Sequence, residues 1–460
     1  MPTILGANTL SGAYDVANSV RFDGASNPYM HKTPGSEGNK RTWTFSTWYK
    51  KGSRALAGND GRWIACGADD NNRDFIYHGT TNMIGYMSRR SGSAEFDVYT
   101  DNNYHTDPSA WYHLVVAVDT TQGTAANRVK LYLNGVQITS SNGLNSSTSY
   151  PDQNYDTSFN DDVKHWLGRD VSDEASFDGY LAETVLVDGQ QLDPTSFGEF
   201  DEDSPTIWKP KNVSGLTFGT NGFYLDYEDS SNLGNDASGG TDLTEVNIAS
   251  TDQSTDTCTN NYATFNPIIP ESSANTFSEG NLKATGGGGD SWTTHYGVST
   301  IAVSQGKWYV ESKVTTTQTS QAILGILSTS QPINSSLKDT GRATVETAGR
   351  ITVFGSNNQT GLTAFSNGDI AAIAFDATNG TAQFYRNGSA YGSAVSSIPS
   401  DLYYFATTTY DSGGVVEFNF GSPAFSISSG NSDQNGYGNF EYSVPSGYYA
   451  LNTKNLAEFG

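Results

Sequence analysis

The sequence predicts an all-β protein: two antiparallel jelly-roll β-sandwiches in tandem, joined by an extended connector. The 460 residues include 49 Gly, 26 Tyr, 22 Phe and 8 Trp but only 4 Met, a composition that favours twisted sheets over helices. Short aromatic and β-branched runs alternate with Gly, Asn, Asp and Ser clusters about every 8 to 12 residues, as in sandwiches. The same hairpin pattern occurs once in each half. We expect only one short helix, at 193–200.

The first sandwich is predicted over residues 1–205. Its candidate strands are 19–22, 43–50, 63–66, 74–77, 83–87, 94–99, 111–119, 129–133, 136–139, 166–167 and 180–187. In 43–49 and 129–133, side chains alternate in character with a period of two, which places one face on a core and the other in water.

The second sandwich is predicted over residues 265–460, with candidate strands at 307–313, 322–327, 350–354, 369–376, 381–386, 403–409 and 415–420. Both halves contain a buried strand, a turn opened by Asp, an alternating strand and an Asn-Gly pair. These pairs are Asn134-Gly135 and Asn387-Gly388. Asn-Gly is a strong hairpin signal because both central residues must adopt positive φ.

Residues 206–264 are predicted to connect the two sandwiches. The aromatic run at 222–227 indicates one strand that closes or buttresses the first sandwich. The remainder is rich in Gly, Asn, Asp, Ser and Thr, which favours an extended connector.

The charge balance excludes several classes of protein. Asp and Glu number 49 against 25 Lys and Arg, a net charge of -24, so we expect no nucleic-acid partner, which would need a basic surface.

No stretch approaches the roughly 18 apolar residues of a membrane span, so we expect no membrane insertion. Cys66 and Cys258 have no neighbouring Cys or His cluster, so neither a disulfide framework nor a zinc site is predicted.

Several motifs carry resemblances to known families. The first 205 residues resemble the laminin-G-like branch of the concanavalin A-like jelly rolls, through Ser19-Val-Arg-Phe-Asp-Gly24, Trp43-Thr-Phe-Ser-Thr-Trp48 and Phe177-Asp-Gly-Tyr-Leu-Ala-Glu183. The second half is similar to the SPRY family, through Gly306-Lys-Trp-Tyr-Val-Glu311, Gly380-Thr-Ala-Gln-Phe-Tyr-Arg-Asn-Gly388 and Val416-Glu-Phe-Asn-Phe-Gly421. Their order resembles a virion-associated protein type of tailed phages of aquatic bacteria.

These resemblances imply a non-enzymatic structural or binding protein of a phage virion, most simply part of a tail fibre, spike or other surface appendage. The implied partners are other virion proteins, further copies of the chain in a homo-oligomer, and a host-surface glycan or receptor. The protein would assemble in the host cytoplasm and be extracellular after lysis. A capsid decoration or head-fibre protein, and a polysaccharide depolymerase, remain alternatives because fold does not determine function.

Aromatic side chains in polar loops are the candidate sugar contacts, since exposed rings stack on pyranose faces. The candidates are Tyr104, Tyr155, Trp292 and Tyr296. The alternative interpretation is that each ring packs its loop onto its own sheet.

Two acidic loops are candidates for a structural calcium ion, because carboxylate and carbonyl oxygens are its preferred ligands. They contain Asp69 with Asp70, and Asp161 with Asp162. The resemblance also implies an acidic ligand after the Phe-x-Gly-x-x segment, where this chain has Ala182 followed by Glu183. No other cofactor is expected.

No catalytic residues are predicted. The arrangement closest to a glycosidase carboxylate pair is Glu199 with Asp201, but it lacks a further Glu at Ser204 and lies beside Pro205. A solvated acidic linker is the alternative interpretation.

Overall fold

The computed structural model describes residues 14–52, 60–172, 175–268, 275–287, 296–317, 321–331, 337, 341–354, 358–409 and 413–460. These residues form two compact units, which meet in sequence between residues 259 and 260. Each unit is a β-sandwich. No helix among the described residues is long and apolar enough to cross a membrane.

The first unit contains seventeen described strands: β1 (Ser19–Phe22), β2 (Tyr29–Lys32), β3 (Thr42–Lys51), β4 (Gly61–Asp69), β5 (Asn72–His78), β6 (Ile84–Arg90), β7 (Ser93–Tyr99), β8 (Trp111–Asp119), β9 (Val129–Leu133), β10 (Val136–Gln137), β11 (His165–Leu167), β12 (Gly179–Asp188), β13 (Gly198–Phe200), β14 (Trp208–Pro210), β15 (Phe223–Leu225), β16 (Thr244–Val246) and β17 (Gln253–Ser254).

Two antiparallel sheets form this sandwich. The first has the order β10-β9-β8-β3-β12-β1-β17, with β15 pairing to the second half of β12. The second has the order β16-β2-β11-β4-β5-β6-β7. In β3, Trp43, Phe45 and Tyr49 lie in the core between the sheets, as their alternation predicts, whereas Trp48 packs in a cluster on the other face.

The outer face of the first sheet is covered by the chain itself. One cluster there joins Val16, Trp48, Trp111, Trp208 and Cys258. A second cluster joins strand residues such as Val115 and Val185 to Phe197, Val213 and Tyr224. The covering residues come from segments 14–18, 192–218 and 255–259, so these segments belong to the first unit.

Residues 206–259 contribute more structure than the sequence predicts. The expected strand at 222–227 is present as β15, but β14, β16 and β17 also pair with strands of the first unit. These three strands are only two or three residues long, too short to produce an alternating pattern. The tract that we predicted as an extended connector is therefore an integral part of the first sandwich.

The second unit contains thirteen described strands: β18 (Thr276–Ser278), β19 (Lys283–Thr285), β20 (Tyr296–Val303), β21 (Lys307–Thr316), β22 (Ala322–Ser328), β23 (Ala343–Glu346), β24 (Arg350–Thr352), β25 (Ile370–Asp376), β26 (Thr381–Arg386), β27 (Ser389–Val395), β28 (Tyr403–Thr408), β29 (Val415–Asn419) and β30 (Tyr449–Ala450). One sheet runs β18-β19-β29-β21-β25-β26-β27, with β30 parallel to β21, and the other runs β20-β28-β22-β23-β24.

Both predicted hairpins are confirmed. Asn134 and Gly135 have φ of 48° and 78°, and Asn387 and Gly388 have φ of 48° and 76°. Each pair joins neighbouring antiparallel strands, β9 with β10 and β26 with β27. The left-handed backbone explains why these positions carry Asn and Gly.

The helix predicted at 193–200 is not formed as such. Asp193 and Pro194 start a single 3-10 turn, Pro194–Ser196, and β13 begins at Gly198. The described α-helix, α1 (Thr453–Phe459), lies elsewhere and starts where the Asn452 side chain accepts a hydrogen bond from the Asn455 backbone N–H. Asn is a preferred residue at this position because it satisfies an orphan donor of the first turn.

Candidate functional site

The outer face of the seven-stranded sheet carries a continuous row of side chains. Cross-strand pairing places one residue of every strand in register, in the order Thr244, His31, Trp166, Ala65, Phe75, Met87 and Asp97. Their chain neighbours Met30, Leu167, Ile64 and Ile76 lie in the core. Because side chains alternate along a strand, the row points away from the core. We call this surface the aromatic face.

A second row supports the aromatic face beside Phe75. Tyr77 pairs with Gly85, which pairs with Tyr99 on the next strand. A Cβ atom added to Gly85 would lie 2.5 Å from the Tyr77 ring, so glycine at this position lets Tyr77 lie flat across the neighbouring strand. Val171, from the loop after β11, joins the hydrophobic cluster here and covers the middle of the face.

At one end of the aromatic face, rings and cations are paired. The Tyr29 and His31 rings stack with centroids 5.8 Å apart. The Arg169 guanidinium lies 4.2 Å from the Tyr29 ring centre, and the Lys164 ammonium lies 5.5 Å from the Trp166 ring centre. Desolvation, then the nearby charges of Lys164 and Arg169, hold the pKa of His31 below its usual value.

The middle of the face carries a closed ion-pair network. Asp170 accepts from the Arg62 Nε at 3.1 Å and lies 3.2 Å from the Arg73 Nη1. The Arg62 guanidinium also lies 4.4 Å from the centre of the Phe75 ring. Asp170 is 2% exposed, and together with Asp70, which lies 2.7 Å from Arg73 Nη1, it balances the charges of both arginines.

Asp97 occupies the far end of the row. The Tyr77 hydroxyl donates toward both of its carboxylate oxygens, at 3.1 Å each. Desolvation outweighs this stabilisation and raises the pKa of Asp97 to about 7. This carboxyl group can therefore gain or lose a proton near neutral pH.

The predicted calcium residues separate into two places. Asp161 and Asp162 lie close to Glu37, with a carboxylate oxygen of each within 4.8 Å of the others. The Lys40 ammonium pairs with Glu37 at 3.2 Å and with Asp161 at 3.5 Å. The three carboxylates could supply oxygen ligands to a hard cation, in competition with this ammonium. Glu37 was not predicted, since it lies more than a hundred positions from Asp161.

Asp69 and Asp70 have other partners. The Asp69 carboxylate accepts hydrogen bonds from the backbone N–H groups of Asn71 and Asn72, which closes the β4–β5 turn. Asp70 forms an ion pair of 2.7 Å with Arg73. The group of acidic residues around Asp161 does not include either residue.

Two adjoining polar clefts lie beside the carboxylate group. One, of about 590 Å³, is lined by Gly38, Asn39, Lys40, Arg41, Asp156, Asp188, Gly189, Gly219 and Thr220. The other, of about 520 Å³, shares Gly219 and Thr220 and includes Lys32. In the first cleft the charged side chains are already paired, as Arg41 Nε with Asp156 at 2.6 Å.

The described sugar-contact candidates each pack against their own unit. Tyr104 is half-buried, packs against the core of the first unit and donates to the Asn142 carbonyl at 3.1 Å. The Tyr155 hydroxyl hydrogen-bonds Ser88 at 2.8 Å, and its ring meets Phe96 edge-on. Tyr296 is buried in the second unit. Trp292 lies outside the described residues.

Three acidic residues singled out from the sequence have different surroundings. Glu183 is buried and accepts from the hydroxyls of Tyr14 and Tyr224 at 3.0 and 2.9 Å, and burial raises its pKa to about 7. Glu199 and Asp201 both face the Lys209 ammonium, at 3.5 and 3.3 Å. Backbone N–H groups and Lys209 lower the pKa of Asp201, the opposite of what a general acid needs.

The second unit also contains a buried carboxyl group. Glu311 accepts hydrogen bonds from the Tyr309 hydroxyl, the Asn419 amide and the backbone N–H groups of Glu441 and Tyr442. Burial raises its pKa to about 7. With four donors around it, Glu311 ties the 439–442 segment to β21.

Sequence reasoning missed the aromatic face because its members come from seven strands spread over more than two hundred positions. Only the strand register brings His31, Trp166 and Phe75 into one row. The available signal was the polar or aromatic residue at the outward position of each strand, such as the Tyr29 and His31 pair around Met30.

Comparison with known proteins supports the fold. Residues 23–191 match a laminin-G family model described as the concanavalin A-like lectin/glucanases superfamily. The first unit therefore has a concanavalin A-like, laminin-G-type fold. A search of curated proteins found no match.

Solved structures with similar folds include a human SPRY domain, that of HERC1, at 19% identity and a TM-score of 0.28, covering 34% of this chain and 96% of that one. Domains LG4-5 of the mouse laminin alpha1 chain match at 10% identity and a TM-score of 0.30, covering 90% and 91%. A heptameric SAP-like pentraxin from Limulus polyphemus matches at 15% identity and 0.27, covering 39% and 80%.

Proposed function

We propose that this chain is a non-enzymatic glycan-binding protein, and that its first unit binds the glycan on the aromatic face. The observation that carries the proposal is the row of outward side chains that crosses all seven strands of the second sheet. The outer face of the first sheet, in contrast, is covered by the chain itself. Tyr29, His31, Met87 and Asp97 on this face are partly exposed. Rings set among hydrogen-bonding groups are suited to sugars, and the family match includes lectins.

We further propose that the protein is a surface component of a tailed-phage virion, in a tail fibre or spike, where it binds a host-surface glycan or receptor. The order of the two sequence resemblances supports this setting. The net charge of -24 suits a protein displayed in many copies, because like charge keeps neighbouring copies from aggregating. Several copies would convert weak single-site binding into firm attachment.

The depolymerase alternative is less well supported. A retaining glycosidase needs one carboxyl group with a raised pKa and a second carboxylate about 5 Å away. Glu199 and Asp201 are instead both paired with Lys209. The capsid-decoration alternative uses the same two units and differs from our proposal only in location.

A glycan array probed with the full chain, displayed multivalently, tests the binding proposal. We expect binding to host-type polysaccharides, and we expect Tyr29→Ala to weaken it about 5-fold or more, since a stacking ring contributes about 1 kcal/mol or more. Tyr104→Ala is the matched control, a half-buried tyrosine of the same unit away from the aromatic face. Loss with Tyr104→Ala alone would move the site to the loops, and no binding to any glycan would contradict the proposal.

Immunogold labelling of intact phage particles with an antibody to this protein tests its location in the virion. Label on tail appendages is expected. Label over heads would favour a decoration protein, and unlabelled particles would refute a virion role. A fall in polysaccharide viscosity on incubation, abolished by Glu199→Ala or Asp201→Ala, would establish the depolymerase alternative.

A further inference from the structure

We propose that Asp97 recognises an uncharged sugar on the aromatic face. Its carboxylate accepts hydrogen bonds from two adjacent hydroxyl groups of a pyranose, and the same pyranose ring packs against Tyr99 and Met87, which are partly exposed. The inference rests on the proposed glycan-binding function. It adds the chemical class of the ligand and the residue that recognises it.

Three neighbouring strands position the Asp97 carboxylate. Tyr77 lies on β5 and Asp97 on β7, and Gly85 of β6, which pairs with Tyr77, lies between these strands. Because glycine has no side chain, the Tyr77 ring lies across β6 and its hydroxyl reaches both oxygens of Asp97 at 3.1 Å. Tyr77 is 7% exposed, whereas Asp97 is partly exposed. Tyr77 thus acts as a positioning residue for a carboxylate that water still reaches.

The Asp97 carboxylate has acceptor capacity that the described residues leave unused. An ionised carboxylate has about four lone-pair sites. Among the described residues, the Tyr77 hydroxyl, with its single proton, is the only donor to these oxygens. The Asp170 carboxylate on the same face is instead paired with Arg62 and Arg73. A carboxyl group that is desolvated without a cation beside it weakens the fold, and such groups cluster at functional sites.

These features suit an uncharged sugar with adjacent hydroxyl groups. Two neighbouring hydroxyls can each donate to one oxygen of Asp97, and hydrogen bonds to an ionised acceptor are the stronger kind. The apolar face of the same pyranose can pack on Tyr99 and Met87, which belong to the hydrophobic cluster around Tyr77. An acidic sugar would bring a like charge to Asp97, which opposes binding.

Recognition by Asp97 makes binding depend on pH. Desolvation raises the pKa of Asp97 to about 7, although the Tyr77 hydroxyl and the Arg62 charge lower it. Its cross-strand neighbours Met87 on β6 and Ser149 in the loop after β10 carry no charge. The groups nearby that can carry a charge are Tyr77 on β5, Arg62 on β4, and Glu95 and Tyr99 on β7 itself.

The sign of this pH dependence follows from the form of Asp97 that the sugar needs. Hydroxyl groups donate to the ionised carboxylate, so a bound sugar lowers the pKa of Asp97 and binding releases a proton. Affinity is therefore full above about pH 7 and is lost as the pH falls below it.

The test measures the affinity of the full chain for dextran, mannan and polygalacturonate by biolayer interferometry at pH 5.5 and pH 8. Dextran and mannan are uncharged and present adjacent hydroxyl groups, whereas each ring of polygalacturonate carries a carboxylate. We expect dextran, mannan or both to bind, about 5-fold or more tightly at pH 8 than at pH 5.5. Polygalacturonate should bind less tightly than the better of the two.

Asp97→Asn should weaken binding about 5-fold or more at pH 8 and remove the pH dependence, because an amide offers one acceptor oxygen in place of two. Glu183→Gln is the matched control, since it also replaces a carboxyl group with a pKa of about 7 by an amide, but beside Tyr224 in the first sheet. It should change affinity less than twofold at either pH.

Tyr77→Phe tests the positioning role separately. It keeps the ring over Gly85 and removes the hydroxyl that lowers the pKa of Asp97. The midpoint of the pH dependence should therefore move to a higher pH. An unchanged midpoint would contradict the role of Tyr77.

Equal losses with Asp97→Asn and Glu183→Gln, or the same affinity at pH 5.5 and pH 8, would overturn the role of Asp97. Tighter binding of polygalacturonate than of both uncharged polysaccharides would overturn the uncharged ligand, as would binding of none of the three. Weakening by Tyr29→Ala would in each case leave the proposed function intact. Binding of no glycan on the array as well would overturn both.

Discussion

The two outer faces of the first sandwich differ in what covers them. Over the first sheet, segments 14–18, 192–218 and 255–259 pack onto the strands and bury large side chains such as Trp48, Trp111 and Trp208. Over the second sheet, Val171 from a short loop packs against the hydrophobic cluster of Ala65, Phe75 and Tyr77. The ends of the aromatic row remain partly exposed.

The contrast extends to the polar groups. On the covered face, several of them have partners from the covering segments. Trp208 donates its Nε1–H to His113 Nδ1 at 3.0 Å, which leaves the His113 Nε2–H to donate to Ser46 at 2.8 Å. Lys50 pairs with Asp256 at 2.7 Å. On the aromatic face, the Lys164 ammonium lies over the Trp166 ring, and the Arg169 guanidinium lies over the Tyr29 ring while its Nε donates to the Asp170 carbonyl. The covered face thus closes its polar groups within the chain, whereas the ends of the aromatic face keep polar side chains partly exposed.

The largest effect is expected from breaking the buried ion pair of the covered face. Asp256→Ala would leave the Lys50 ammonium, 1% exposed, without its carboxylate and remove the acceptor of Trp111 Nε1–H. We expect the first unit to lose about 3–5 kcal/mol of stability, measured by hydrogen exchange of its peptides in denaturant.

The control for that variant is Asp156→Ala, which breaks the exposed pair with Arg41 and should cost about 1 kcal/mol or less. Similar losses for the two variants would mean that the covering segment contributes little to stability.

Glu183 provides the second test, through pH. Its pKa of about 7 lies above the ordinary value of 4.5, so the folded state keeps a proton that the unfolded state releases. Stability from this group therefore falls as the pH rises from about 4.5 to about 7. Glu183→Gln should stabilise the first unit by about 2–3 kcal/mol at pH 8 and change little at pH 4.5. An equal change at both pH values would contradict this account.

Asp97 is the counterpart on the aromatic face. Its pKa is also about 7, above the ordinary value of 3.8. Stability from this group therefore also falls as the pH rises from about 4 to about 7. Because this side chain is partly exposed, water screens part of the cost, and we expect Asp97→Asn to gain only about 1–2 kcal/mol at pH 8. Urea unfolding midpoints at pH 8 and pH 5 check this, and a gain exceeding that of Glu183→Gln would reverse the ranking of the two faces.

The smallest effect on folding is expected at Lys164, whose ammonium lies over the Trp166 ring on the aromatic face. Lys164 has no described ion-pair partner, so Lys164→Gln should change stability by about 0.5 kcal/mol or less. Thermal unfolding of the full chain tests this, with Lys130→Gln, a change at a partly exposed lysine of β9 on the other sheet, as the control. A loss of several kcal/mol would show that Lys164 has a structural role.

The sequence predicted those parts of the fold that local patterns determine. Strands such as β8 and β9 were predicted with their observed ends, because alternation and Asn-Gly turns are local signals. Helix α1 was missed, since its seven residues are too few for a helical period to be recognised.

The candidate site was less predictable because its residues are distant from one another in sequence. Asp161 and Asp162 are adjacent in sequence and could be singled out, but their neighbour Glu37 is brought in only by the fold. Ring type alone could not single out Tyr29 from Tyr155, because both are partly exposed and only the strand register places Tyr29 on β2 beside the outward row.

In each unit, described residues from near the beginning and near the end of the unit lie side by side. In the first, the backbone N–H of Val16 donates to Thr259 Oγ1 at 3.0 Å, and in the second Ala263 N–H donates to the Leu451 carbonyl at 3.0 Å. A pulling force applied through the chain would thus enter and leave each sandwich at neighbouring points. The load would fall on these few terminal contacts, which would peel apart one after another, while the sheets behind them remain largely unloaded. A receptor bound on the aromatic face would therefore be held by a part of the unit that tension reaches last.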